Sequence, residues 1–216
     1  MCVHPLTDSI EPKNPSTMVA LALPVTFSFY RCPVTTTIPA KEMTILEVYH
    51  LIKSDRYQRQ TELLRALIDK KAAQAYKSER FDFITASGTF TKRNANSLIQ
   101  HSGLMVLDFD HLDDVMGLKN ALIADEYFEP DLLFRSPSGN GLKLLTTIDL
   151  EVGSHLDWFM SIAEYTRTTY HLEIDSSGKD VCRAAFLPHD PEVYIHPNYL
   201  NSSITQSFNS NSHENN

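Results

Sequence analysis

Gly103-Leu-Met-Val-Leu-Asp-Phe-Asp110 decides how this 216-residue chain is read. An apolar run of that length is a buried strand, and residues two apart along a strand share a face. Asp108 and Asp110 therefore stand side by side at a strand end, with Phe109 turned the other way. Two carboxylates that close repel each other unless positive charge lies between them. Mg²⁺ and Mn²⁺ favour such oxygen ligands and often bring substrate phosphates with them. The plainer alternative is a strand that runs out into solvated acids, with Asp113 and Asp114 as more of the same.

Downstream of this strand the pattern predicts a helix over 113–124, a strand over 131–135 and a turn at Ser136-Pro-Ser-Gly-Asn-Gly141. A strand over 142–148, a helix over 155–171 and a last strand over 181–187 follow. The order β-α-β-β-α-β over about 103–188 is that of a ferredoxin-like (RRM-like) half, so the fold class is α+β. In the usual strand order of that fold, 4-1-3-2, the first strand lies between the third and the fourth. The starts of both neighbours then lie beside Asp108 and Asp110, which brings in Lys143, Asp175, Lys179, Asp180 and Arg183.

Upstream, Val25-Thr-Phe-Ser-Phe-Tyr-Arg31 reads as a strand and Thr44 opens a helix. The spacing of Leu63, Leu64, Leu67 and Ile68 predicts one apolar face on a single helix over 58–78. Short strands at 81–84 and 89–91 are expected to join at Ser87-Gly88. The chain thus divides into an α/β lobe at 21–100 and an RRM-like lobe at 101–200. Residues 1–20 read as a flexible segment and 201–216 as a disordered polar tail.

Ser136-Pro-Ser-Gly-Asn-Gly-Leu-Lys143 has the make-up of a phosphate-cradling turn. Glycines let backbone N–H groups approach an anion, serines add donors and lysine adds a point charge. An ordinary hairpin loop would use the same residues. No GxxxxGK[ST] occurs, so this is not a Walker A loop. Ser136, Ser138, Gly139, Asn140, Gly141, Lys143 and Arg183 are the nucleotide-binding candidates, and Asp175 is the candidate third carboxylate, with Asp180 its alternative. Three acids holding two divalent ions suit nucleotidyl transfer.

The net charge of −8 conceals an asymmetry. Residues 53–93 hold ten Lys/Arg against five acids, whereas 101–200 hold six against seventeen. One half is suited to gripping phosphates and the other to holding cations, although a solvated helix face would also carry such a run. The three cysteines are widely spaced without a CxxC pair, which argues for a reducing compartment and against a disulfide framework or zinc site. The apolar stretch at 18–25 is too short to span a membrane, and a cytoplasmic protein is expected.

Three ordered motifs carry a family resemblance: Ser102 to Asp110, Phe134 to Lys143, and Ile174 to Arg183 with Phe186-Leu-Pro188. With them, residues 25–196 resemble the primase-like N-terminal domain of virulence-associated protein E, within the archaeo-eukaryotic primase (primase-polymerase) superfamily. The resemblance implies nucleotide addition on a single-stranded or primed nucleic acid, from nucleoside triphosphates, with Mg²⁺ or Mn²⁺. It makes Asp108, Asp110 and Asp175 the metal-binding and catalytic acids, and it puts Lys143 where the second motif usually ends in a triphosphate-contacting histidine. Lys53, Arg56, Arg59, Lys70, Lys71 and Arg93 would then track the nucleic acid. The larger relatives continue into a P-loop helicase, which implies here either a separately encoded helicase partner or a shortened relative. Two alternatives stand beside this reading. One is a non-catalytic nucleotide- or nucleic-acid-binding module. The other is a haloacid-dehalogenase-type phosphatase, which also ends a strand in DxD but needs a doubly wound parallel sheet.

Overall fold

A computed structural model describes residues 25–127 and 129–201. The segment expected to be flexible at 1–20, and all but the first residue of the expected tail at 201–216, lie outside the described residues. The first sheet has the order β2-β1-β3-β9, formed by β1 (Thr26–Tyr30), β2 (Lys41–Thr44), β3 (Phe83–Thr85) and β9 (Ala185–Phe186). The second has the order β10-β7-β8-β6, formed by β6 (Leu104–Phe109), β7 (Leu132–Arg135), β8 (Leu142–Thr147) and β10 (Tyr194–Ile195). A two-stranded ribbon pairs β4 (Gly88–Phe90) with β5 (Leu98–His101). Every strand pair described is antiparallel, and the fold is mixed α+β.

The second sheet is buried on both faces, which is why its strands read as near-continuous apolar runs. Along β6, Leu104 and Val106 join a core with Phe27, Phe29, Ile84 and α1 (Ile45–Lys53). Met105, Leu107 and Phe109 face the other way, into a core with Leu122 of α4 (Val115–Ile123) and Phe159 and Ile162 of α5 (His155–Thr169). Residues from both sides of position 100 share the first core, so the two expected lobes pack as one body there. By the same alternation Asp108 points toward the first sheet, at the end of the strand, beyond the apolar layer.

Thr44 caps α1 through a reciprocal box with Glu47: the Glu47 N–H donates to Thr44 Oγ1 at 3.3 Å, and the Thr44 N–H donates to the Glu47 carboxylate at 2.7 Å. The helix expected over 58–78 is instead two, α2 (Gln58–Ala66) and α3 (Lys70–Arg80). Leu67 is extended, and the Asp69 carboxylate starts α3 by accepting the Ala72 N–H at 2.6 Å. A capping aspartate three residues after a helix end restarts the turn direction, so the leucine periodicity does not continue across it. Leu64 is buried, whereas Ile68 is 97% exposed and Leu63 and Leu67 are also exposed.

The chain turns at Ala86-Ser87, one residue before the expected Ser87-Gly88, and the strands on either side enter different sheets rather than one hairpin. The last expected strand is also corrected. Of 181–187 only Ala185–Phe186 is strand, and it pairs with β3 of the first sheet, so the 4-1-3-2 order does not form. A 3-10 turn, Ser176–Lys179, lies along the free edge of β6, where the Asp175 N–H donates to the Asp108 carbonyl at 3.0 Å. Asp175 and Asp180 fold their own neighbours into turns, accepting the Ser177 and Cys182 N–H groups at 2.9 and 3.0 Å. Such local side-chain bonds compete with a strand ladder.

Candidate functional site

Asp108 and Lys143 are direct partners across the β6–β8 ladder, and the Lys143 ammonium is bound to the Asp108 carboxylate. The other oxygen of Asp108 accepts from Arg183, at 2.8 Å from Nη2 and 3.2 Å from Nε. Arg183 Nη2 also donates to Asp175 at 2.7 Å, so one guanidinium bridges two carboxylates. Burial alone would raise the Asp108 pKa, but Lys143 and Arg183 outweigh it and hold the carboxyl below its usual range. Asp175 is likewise held down: burial opposes, and the Ser177 N–H and Arg183 prevail. Asp110, exposed at the strand end, is followed by His111 in the left-handed region (φ 58°), where the chain turns away.

These groups open onto a cleft of about 350 Å³. Asp108, Asp110, Ser136, Ser138, Lys143 and Arg183 line it from the second sheet and its loops. Gln74, Lys77 and Ser78 line it from α3, spaced i, i+3 and i+4 on one helix face. Burial, then repulsion from Lys143, lowers the Lys77 pKa, while Asp110 and Asp108 act to raise it. Arg93 reaches the same cleft with its Nη2 fixed on the Val34 carbonyl at 2.7 Å, and its Nε is buried without a partner. Ser177 Oγ, also lining the cleft, is another buried polar atom without a partner. Cys182 also lines the cleft. Burial and the adjacent Asp180, which accepts from its thiol at 3.1 Å, push its pKa to about 11.

The Ser136–Gly141 turn is built by its own bonds. The Ser136 N–H donates to the Gly141 carbonyl at 2.8 Å and the Gly139 N–H to the Ser136 carbonyl at 2.9 Å. Gly139 takes φ 87°, which glycine adopts freely. Arg65 clamps the turn from α2, donating to the carbonyls of Pro137 and Ser136 at 3.2 and 3.3 Å. Ser136 and Ser138 reach the cleft, while Gly139, Asn140 and Gly141 shape the turn outside its lining. Gly141 lies so close to the Phe109 carbonyl that a Cβ there would overlap it.

Of the residues expected to track nucleic acid, only Arg93 lines this cleft. Lys53 donates to Tyr49 Oη at 2.8 Å, Arg56 lines a separate pocket, and Arg59, Lys70 and Lys71 are exposed. Asp180 lines the cleft, whereas Asp175 meets it through Arg183. Lys77 and Ser177 were absent from the expected set. The signal for Lys77 is its helix spacing with Gln74 and Ser78, which has meaning only once α3 is known to face the cleft.

The family model for the BT4734-like, N-terminal domain matches residues 75–195. The chain belongs to this family. The BT4734-like match begins within α3, just before Lys77, and ends at β10, so it contains Asp108, the Ser136–Lys143 segment, Asp175 and Arg183. No curated protein and no solved structure matches the chain.

For a divalent cation, the donors at this site would be the oxygens of Asp108 and Asp175. Both Asp108 oxygens and one Asp175 oxygen face Lys143 or Arg183, and the other Asp175 oxygen accepts the Ser177 N–H. Among the described residues no three His, Cys, Asp or Glu side chains are grouped as a metal ion needs. As the side chains stand, the cations Lys143 and Arg183 supply the neutralising charge. The antiparallel second sheet also differs from the doubly wound parallel sheet that the phosphatase alternative requires. No helix among the described residues is long and apolar enough to cross a membrane.

Proposed function

We propose that the cleft binds the phosphates of a nucleoside triphosphate, in a chain that acts as a primase-polymerase-like nucleotidyltransferase on a nucleic-acid template. One observation carries the binding reading. Lys77, Lys143 and Arg183 converge on a single cleft from α3, β8 and the loop before β9, with the serines of the Ser136–Gly141 turn on its wall. Ammonium and guanidinium groups at such a wall suit phosphate oxygens. Arg93 and Ser177 line the same cleft and add polar side chains to its wall. The transfer half of the reading is supported by the resemblance of three motifs that share this one cleft. Asp108, Asp110 and Asp175 are its acids, and Mg²⁺ or Mn²⁺ is the cofactor the resemblance implies.

A second reading, a nucleotide-binding module without turnover, is favoured by the engagement of both Asp108 oxygens with Lys143 and Arg183. One experiment separates the two. Binding of a fluorescent triphosphate analogue is measured first, then extension of a primed template with Mg²⁺ or Mn²⁺, for wild type and Asp108→Ala/Asp110→Ala. Binding with metal-dependent extension that the double variant lacks supports the transferase. Binding without extension leaves the module, and no binding removes both.

A further inference from the structure

A second pocket, of about 340 Å³, lies around the buried carboxylate of Asp82. Asp82 Oδ1 accepts the Cys32 N–H at 2.9 Å, and Oδ2 accepts from Tyr57 Oη at 2.9 Å and from Arg31 Nη1 at 3.1 Å. Arg56 Nη2 stands 3.8 Å from the same oxygen. Arg80, from the end of α3, lines the pocket as well and makes no ion pair among the described residues.

Two guanidiniums thus meet one carboxylate, and a third lines the same pocket. A buried aspartate is satisfied by the Cys32 N–H, Tyr57 and one arginine, so the other positive charge is surplus to the fold. Arg31 and Arg56 are half exposed and each meets Asp82 through one nitrogen, which leaves the remaining N–H groups facing the pocket. Each is also laid against an aromatic face, Arg31 on Phe29 at 5.3 Å and Arg56 on Tyr57 at 5.6 Å, which limits the freedom lost on binding an anion. Guanidiniums held in this way suit the paired oxygens of a phosphate.

The pocket and the nucleotide cleft are lined by neighbouring residues of the same two segments. Arg80 and Lys77 lie one turn apart on α3 and line the second pocket and the cleft respectively. Cys32 and Val34 do the same from the loop after β1. An anion long enough to reach both sites carries charge at successive positions, as a nucleic-acid strand does. We propose that Arg31 and Arg56, ordered by Asp82, form with Arg80 a phosphate site for the backbone of a single-stranded nucleic acid passing the cleft. This rests on the nucleotide reading of the cleft for its direction, though not for its chemistry.

The test uses the full chain and a fluorescein-labelled oligo-dT of about 15 nucleotides, read by polarisation across a salt series, because single-strand binding to phosphates depends on salt through counterion release. Arg31→Gln/Arg80→Gln is expected to lose about tenfold in affinity and to flatten the log K against log salt slope by about 1. Arg80→Gln, whose side chain supports no ion pair, is expected to lose about threefold alone, which covers any misfolding of the double variant. Binding of the fluorescent triphosphate is expected to stay within about twofold of wild type in both. Unchanged oligonucleotide affinity and slope in the variants overturns the site, as does a wild type that binds no oligonucleotide. If the variants lose oligonucleotide binding while wild type binds no triphosphate, the second site stands and the cleft reading falls.

Discussion

Lys143 stands directly across the β6–β8 ladder from Asp108 and neutralises it inside the protein. Because register sets this pairing, a one-residue slip of either strand would turn its member of the pair to the opposite face. Lys143→Met leaves a buried carboxylate with Arg183 as its remaining cation, and removal of one partner from a buried pair costs about 3 kcal/mol or more. Asp108→Asn/Lys143→Met removes the stranded charge and is expected to recover about 2 kcal/mol of the summed single losses. Urea unfolding of the four proteins in the cycle measures this. Additive losses would show that the pair does not act as a unit.

Lys77 separates phosphate binding from folding. Helix α3 buries none of its residues fully, and Lys77 makes no ion pair among the described residues. Lys77→Gln is therefore expected to leave the urea midpoint near wild type. It removes one of the four cations lining the cleft, and a tenfold loss of triphosphate affinity, about 1.4 kcal/mol, is expected. Titration with the fluorescent analogue at two salt concentrations reads both the loss and its salt dependence. A variant that binds as wild type does would take Lys77 out of the cleft's function.

The parts of the fold legible in the chain are those set by neighbours in sequence. Strand β6 is found at Leu104–Phe109 as its apolar run predicts, and α1 starts at Thr44 because the cap chemistry is local. The fate of 181–187 was not legible, since pairing Phe186 with Phe83 depends on a partner a hundred residues away. The break at Leu67 was hidden because four leucine and isoleucine positions mimic one helix face, while the capping role of Asp69 outweighs them. Asp108, Lys143, Asp175 and Arg183 do converge, although by a route other than the expected fourth strand. The 3-10 turn at Ser176–Lys179 fills that edge of β6 and brings Asp175 within reach of Arg183.

Gly141 is where the phosphate-type turn meets the strand carrying the acids. A Cβ at this position would overlap the Phe109 carbonyl and approach Asp110 Oδ1 to 3.2 Å. The obstacle is backbone, the carbonyl of the last paired residue of β6, and not a side chain that can rotate aside. Gly141→Ala is expected to destabilise the protein by about 2 kcal/mol, in the range for strain at a core position. Thermal unfolding measures this, and triphosphate affinity should fall with it as Lys143 is displaced. Gly103→Ala, at φ 76° but away from the cleft, is the control that should lower stability without selective loss of binding.

His101 and His155 form a relay that ends on the turn beside Asp175. The Gly103 N–H donates to His101 Nδ1 at 3.0 Å, so His101 carries its proton on Nε2, 3.1 Å from His155 Nδ1. His155 Nε2 then donates to the Gly178 carbonyl at 3.1 Å. Burial, with repulsion from His155, lowers the His101 pKa from 6.5 to about 4. Burial lowers that of His155 too, although the Gly178 carbonyl and Asp180 partly oppose it. In the pH interval from about 6.5 to 4 the unfolded chain therefore binds more protons than the folded one. The stabilisation is whole above the unfolded pKa and is lost as pH falls through that interval. The depressed Asp108 and Asp175 lose theirs chiefly as pH falls past the ordinary carboxylate value of 3.8, mostly below the histidine interval. Urea unfolding at half-unit steps from pH 8 to pH 4 should show this decline in wild type, and His101→Gln/His155→Gln should flatten it even though its stability at pH 8 is lower. Parallel curves for the two proteins would remove the histidine pair as the source of the acid sensitivity.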